Sequence, residues 1–160
     1  MASDDTKKDP FRPLDDEARG TLTEMLSEPH AALAVTDPET GVPSVTRIGF
    51  LWLDGHAFTL ISTLSDHTSA LQANPACGLM LGSPGPKGDP LTHPRLSLQA
   101  RALTADKVLW RDRYIAARPK VKLYYDFTDF GLVEFEVTKG LLNGGFGKAY
   151  RVTAADLTPQ

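Results

Sequence analysis

Only one cysteine, Cys77, occurs in 160 residues, so no intrachain disulfide forms and no cysteine-based zinc site is available. It lies in the apolar run Ala76-Cys77-Gly78-Leu79-Met80-Leu81 and reads as a buried strand residue rather than a nucleophile. The histidines His30, His56 and His93 have no partners at ligand spacing, which argues against a histidine-based metal centre. No Gly-x-Ser-x-Gly elbow, Walker-type loop or dinucleotide glycine pattern is present. Neither sign of charge dominates: 17 Lys and Arg against 20 Asp and Glu leave a net charge of −3, and the isoelectric point is near 5.8. A general attraction to nucleic acid or to anionic lipid is therefore not expected. No apolar run is long enough to cross a bilayer, and Met1-Ala2-Ser3-Asp4-Asp5 is acidic where a secretory leader would be basic. These absences predict a cytoplasmic chain with no membrane and no nucleic-acid partner.

What is present suits one domain with its own core. Residues 1–13 are polar, contain Pro10 and Pro13, and read as a flexible N-terminal arm; residues 14–160 read as a single domain. Asp15-Asp16 open a helix whose Ala18, Leu22, Met25 and Leu26 share a face. A second helix is expected from the Asp106 cap to Pro119. Six strands are predicted: Ala31 to Val35, Ser44 to Leu53, Ala57 to Thr63, Ala76 to Gly82, Arg95 to Ala102, and one following Asp129 with Val133, Phe135 and Val137 facing inward. Short strands joined by hairpins, with few helices, describe a small antiparallel barrel of the α+β kind.

The richest segment runs from Leu60 to Leu71, where an apolar strand enters the hydroxyl-rich turn Ser62-Thr63-Leu64-Ser65 and a short helix begins. Free N–H groups, the positive end of the helix dipole, hydroxyls and the imidazole of His67 are suited to a phosphate; the plainer alternative is that Ser65 simply caps the helix. On the second strand both faces read as mostly apolar, so Arg47 stands out, because a guanidinium there is costly unless it meets an anion. Arg47 would give a two-pronged contact to phosphate oxygens, with Ser62, Thr63 or Thr68 donating from hydroxyls. The alternative for Arg47 is an ion pair with Asp66 or a position at the barrel mouth.

Thr46-Arg47-Ile48, the Ser62 to Leu71 segment with His67-Thr68, Asp89 to Leu98, Tyr125-Asp126-Phe127-Thr128-Asp129-Phe130, and Gly144-Gly145-Phe146-Gly147-Lys148-Ala149 occur in an order that resembles the flavin-binding split-barrel family related to pyridoxamine 5′-phosphate oxidase. The haem-utilisation, HugZ-like branch is the nearer match. The resemblance implies a six-stranded split β-barrel, a homodimer, and FMN held in clefts at the subunit interface. It would place Arg47, Ser62, His67 and Thr68 near the FMN phosphate, with backbone of Thr46, Ile48 and Ile61 beside the ribityl chain or ring. Ala70 departs from the asparagine common in the family. The Arg-x-His substrate motif of the oxidase proper has no counterpart, and a haem ligand from a distal tail is not expected, since His93 is the last histidine. The expected function is that of an FMN-dependent oxidoreductase of unknown substrate, with no catalytic side chain assigned. The rivals are a non-catalytic flavin, haem or tetrapyrrole binder and an oligonucleotide-binding barrel, the latter disfavoured by the acidic balance.

Overall fold

The structure is a computed structural model describing residues 9–158. Helix α1 (Asp16–Leu26) starts where the Asp15 carboxylate accepts the Ala18 N–H at 2.8 Å. It buries Ala18, Leu22, Met25 and Leu26 against the sheet. The strands are β1 (His30–Thr36), β2 (Pro43–Gly49), β3 (Leu51–Leu53), β4 (His56–Ser62), β5 (Ala76–Leu81), β6 (Arg95–Thr104), β7 (Phe130–Asn143) and β8 (Ala149–Val152). Helix α2 (Asp66–Ala73) follows β4, and α3 (Lys107–Ala117) follows β6.

All pairings between these strands are antiparallel and their order is β2-β1-β5-β6-β7-β4-β3, with β8 added to β7. The two ends of that order, β2 and β3, are separated in the chain by Phe50 alone. A continuous chain can serve both edges only if the sheet curls until they meet, so the split barrel follows from the topology. The junction is well sealed. Phe50 is buried and donates its N–H to Pro29 O at 2.9 Å, and the buried Thr59 hydroxyl donates to Gly49 O at 2.7 Å.

Strand alternation divides the apolar residues into two clusters. Inside the barrel, Leu33, Ile48, Phe50, Ile61, Leu79, Leu96, Phe135 and Leu142 pack with α1 and with Ala70 and Leu71 of α2. Outside it, Leu51, Phe58 and Leu132 are covered by Tyr114 of α3 and by Tyr125. Close packing dictates Gly140 in β7, because a Cβ there would stand 2.9 Å from Val152 Cβ and 3.0 Å from Leu98 Cδ2.

The α+β split-barrel class is as expected, but eight strands replace six. The predicted Ser44 to Leu53 strand breaks at Phe50 because its halves pair with different neighbours, and the segment after the Gly144 turn adds β8. Nor are both faces of β2 buried: Val45, Arg47 and Gly49 are exposed while Ile48 is buried, so the cost of burying Arg47 does not arise. In β7, Phe135 faces inward as predicted, with Val133 and Val137 packed at its sides, whereas Leu132 faces the outer cluster. Of the expected arm, residues 1–8 lie outside the described residues. Arg12 forms a parallel bridge to Tyr150, bonded to Ala149 O and from Arg151 N at 3.0 and 2.9 Å. No described helix is long and apolar enough to cross a membrane.

Candidate functional site

The turn between β4 and α2 is held by its own hydrogen bonds. Thr68, buried, donates its hydroxyl to Ser62 O at 2.5 Å and its N–H to Ser65 O at 3.0 Å. The Ser62 hydroxyl accepts the Leu64 N–H at 3.1 Å and faces Asp129 Oδ2 at 3.3 Å, and Thr63 N donates to Asp129 O at 2.7 Å. Two of the three hydroxyls expected to hold a phosphate are thus engaged within the turn. Ser65, at the N-cap position, makes no side-chain cap bond. The N–H groups of Asp66 and His67 donate to no protein atom among the described residues, and such groups are the anion-binding donors of a helix start. Sequence reasoning placed weight on Ser62 and Thr68 and gave Ser65 the alternative role of capping the helix; its side chain makes no such bond and stays available.

His67 is fixed from β2. Its Nδ1 lies 3.1 Å from the Thr46 hydroxyl, while its Nε2 is buried and has no partner. Burial holds the imidazole below the ordinary histidine pKa, opposed by the neighbouring Asp66 carboxylate. An unpartnered nitrogen of this kind carries a desolvation cost of about 1–3 kcal/mol.

Arg47 lies on the other side of the same strand rim. β3 pairs with β4 at Leu51 and Phe58. Strand β2 pairs with β1 and forms no ladder with β4, but its last residue, Gly49, reaches Thr59, and alternation along β2 sets Arg47 on the outer face. Arg47 makes no ion pair among the described residues, with Asp66 or any other acid. The structure therefore joins Thr46 to His67 and Ser62 to Thr68, and places Arg47 on the opposite, outer face of β2. It makes no direct contact between Arg47 and the α2 residues. The two open N–H groups at the start of α2 are donors of the kind that hold a phosphate, and Arg47 is a guanidinium free of ion pairs among the described residues on the other face of β2.

A cleft of about 640 Å³ contains none of the expected cofactor residues but adjoins them. It runs along the outer face past Gly49 and Leu60 to Tyr124 and Phe130, with Arg118 and Lys120 supplying positive charge. Arg118 donates to Ala117 O and Phe50 O at 3.2 and 3.4 Å, yet its Nε is buried without a partner. Its position just after α3 gave no sequence signal, because the cleft is made by packing that segment over β4. Elsewhere, Gly144 to Gly147 forms the β7–β8 turn, closed by Gly144 N to Lys148 O at 2.8 Å. Tyr125 is fully buried, its hydroxyl on Lys107 O at 2.8 Å, so this ring belongs to the core of the chain. Burial pushes the Cys77 thiol up to about 11, which leaves it inert at neutral pH. No cluster of three or more metal-ligating side chains occurs among the described residues.

Comparison with known proteins agrees with this architecture. One solved chain, 40% identical, superposes with a TM-score of 0.83 over 93% of this chain and 100% of its own. A haem-binding protein from Mycobacterium smegmatis is 22% identical with a TM-score of 0.76, covering 92% of this chain and 61% of that one. ChuZ from Campylobacter jejuni is 23% identical with a TM-score of 0.79, covering 92% and 63% respectively. The chain thus spans about three fifths of the length of these last two. No curated protein matches it. The family model described as pyridoxamine 5′-phosphate oxidase matches residues 18–142, a span that holds β1 to β6 and nearly all of β7, the α2 turn, Arg47 and the apolar cleft; the chain belongs to the pyridoxamine 5′-phosphate oxidase family.

Proposed function

We propose that the chain is an FMN-binding flavoprotein serving oxidoreduction, its phosphate site formed where α2 begins and its ring site in the adjoining cleft. The observation that carries this reading is the open start of α2, where the N–H groups of Asp66 and His67 lack protein partners, together with an Arg47 that makes no ion pair among the described residues. Arg47 would give the phosphate two parallel hydrogen bonds, and His67, Thr68 and Ser62 would shape the turn that receives it. Backbone of Thr46, Ile48 and Ile61 would border the ribityl chain. Gly49 offers no side chain at the cleft, which leaves room for a flat ring against β2. Bound flavin supplies reversible electron or hydride transfer at its ring, and the protein supplies binding, orientation and exclusion of water.

We place a second copy of the chain on the outer face of β2, β1 and β5. There Val45 is 66% and Met80 47% exposed beside Ala32, Ala34 and Gly78, a small-residue surface on which another chain can approach closely. A stable homodimer buries upward of ~1,000 Å² in total, and sedimentation at low micromolar concentration tests it: a flavin-loaded monomer defeats the shared interface.

The flavin reading is tested by titrating the purified protein with FMN, FAD and riboflavin. FMN is expected to bind tightest. Equal affinity for riboflavin means that the phosphate contacts contribute nothing. Because the haem-binding relative shares the fold, and because an apolar cleft with Arg118 and Lys120 also suits a tetrapyrrole carrying carboxylates, the same titration includes haem. Tighter binding of haem than of FMN transfers the proposal to the tetrapyrrole binder.

A further inference from the structure

Resting on the flavin reading and on the second copy placed over β2, β1 and β5, we propose that dimerisation is coupled to the phosphate of FMN: the face on which the copies meet carries charge of one sign, and an anion at Arg47 offsets it. No Asp or Glu occurs in β1, β2, β5 or β6, which carry Arg47, Arg95 and Arg101 as well as His30. Strand pairing sets outward residues in rows: Arg47, Ala32, Met80 and Ser97 in one, Val45, Ala34, Gly78 and Gln99 in the next. The residues between them, Leu33, Ile48, Leu79 and Leu98, are buried, as alternation requires. Lys139 of β7 stands level with Gln99, and Arg101 follows two residues on along β6. Arg47, Arg101 and Lys139 make no ion pair among the described residues, and neither does Glu136, which lies level with Arg101 at the margin of the face.

In a twofold dimer the same patch serves both copies, so the cations of one meet the cations of the other. Small side chains at Ala32, Ala34 and Gly78 let the sheets approach closely, which brings those charges together, and like charges juxtaposed at an interface oppose association. Beside Arg47 the face is not flat. A hollow of about 330 Å³ lies among Arg47, His30, Met80 and Ser83, and no carboxylate lines it. An anion at Arg47 therefore has room beneath a second copy, and its charge turns a repulsive contact into an attractive one. By linkage, a phosphate that favours the dimer is itself bound more tightly by the dimer, by the same factor.

The test measures the dimer dissociation constant of the full chain by sedimentation equilibrium, without ligand and with saturating FMN or riboflavin. FMN is expected to tighten the dimer about tenfold more than riboflavin does, within the usual range for coupling between two sites. Without ligand, raising the salt from about 0.1 M to about 1 M, which shortens the screening length from about 10 Å to about 3 Å, is expected to tighten the dimer; with FMN bound that effect is expected to shrink. Arg101→Gln removes a charge from the face away from Arg47. It is expected to tighten the ligand-free dimer and to leave the binding preference for FMN over riboflavin unchanged. Arg47→Gln is expected to tighten the ligand-free dimer too, and to abolish the difference that FMN and riboflavin make to dimerisation. A ligand-free dimer as tight as the FMN-loaded one overturns the inference, as does a ligand-free dimer that neither salt nor Arg101→Gln tightens, or a chain that stays monomeric with FMN bound. Failure of the flavin reading looks different, because the wild-type protein then binds FMN no more tightly than riboflavin.

Discussion

Helices α2 and α3 begin in opposite ways. At α3 the Asp106 carboxylate accepts the N–H groups of Val108 and Leu109 at 3.0 and 2.9 Å. Lys107 then ties the helix start to Phe127 O and Phe130 O at 2.8 and 2.6 Å. At α2, Ser65 occupies the same position without a side-chain bond, and the donors behind it stay open. Both Asp and Ser are preferred cap residues, so local propensity does not separate them. What separates them is occupancy: at α3 the donors are engaged and contribute to stability, whereas at α2 oriented donors stay open.

The largest expected effect falls on the open side. Arg47→Ala weakens FMN binding by about 1.5–3 kcal/mol, the range for a hydrogen bond to a charged group, and changes riboflavin binding much less. Because Arg47 has no ion pair to lose, the melting temperature changes little; a lower melting temperature with intact FMN affinity reverses the assignment. Next comes the contrast itself, measured by urea denaturation. Asp106→Ala costs about 1 kcal/mol of stability, as loss of a working cap does. Ser65→Ala costs under about 0.5 kcal/mol, as expected where no bond is lost. Equal losses break the comparison.

Converting the open start into a closed one sharpens it. Ser65→Asp supplies a carboxylate to the α2 donors and adds roughly 0.5 kcal/mol of stability. In the same protein FMN affinity falls, since the carboxylate occupies the donors and repels the phosphate. A variant that gains stability without losing FMN shows that the ligand lies elsewhere.

The smallest effect is on pH dependence. With its folded pKa held below the ordinary histidine value of 6.5, His67 binds fewer protons folded than unfolded. Its contribution to stability is therefore full above that value and is lost as the pH falls through and below it. Comparing wild type with His67→Gln at about pH 5 and pH 7.5 isolates it: the wild type is expected to lose more on acidification. An identical loss in both proteins removes His67 as the source.

Much of the fold was legible because hydrophobic alternation and caps are local signals. Ala18, Leu22, Met25 and Leu26 marked α1, Asp106 marked α3, and the strand runs marked the sheet, since side-chain period follows from backbone geometry alone. The break at Phe50 was not legible. Leu51 continues the alternation of Val45 to Gly49 with no proline to interrupt it, and Gly49, one glycine within a strand pattern, does not by itself mark a break; the strand divides because its halves have different partners. Arg47 was singled out for an imperfect reason: it was expected on a strand buried on both faces, whereas it lies on the exposed face of β2.

By itself the sequence determined the antiparallel α+β class, the absence of a disulfide and of a thiol-based metal site, and the position of a hydroxyl-rich turn opening a helix after a strand. Tertiary structure decided which donors in that turn are free. Ser62 and Thr68 carry the same hydroxyl chemistry as Ser65, but closure of the turn against Asp129 engages the first two and leaves the third. It also brought Thr46 of β2 onto His67 of α2 and packed the segment after α3 over β4 to form the apolar cleft. The physical reason is the same in each case. Residue type and spacing set what a group can bond, whereas whether that bond is already made depends on neighbours that only the folded chain supplies.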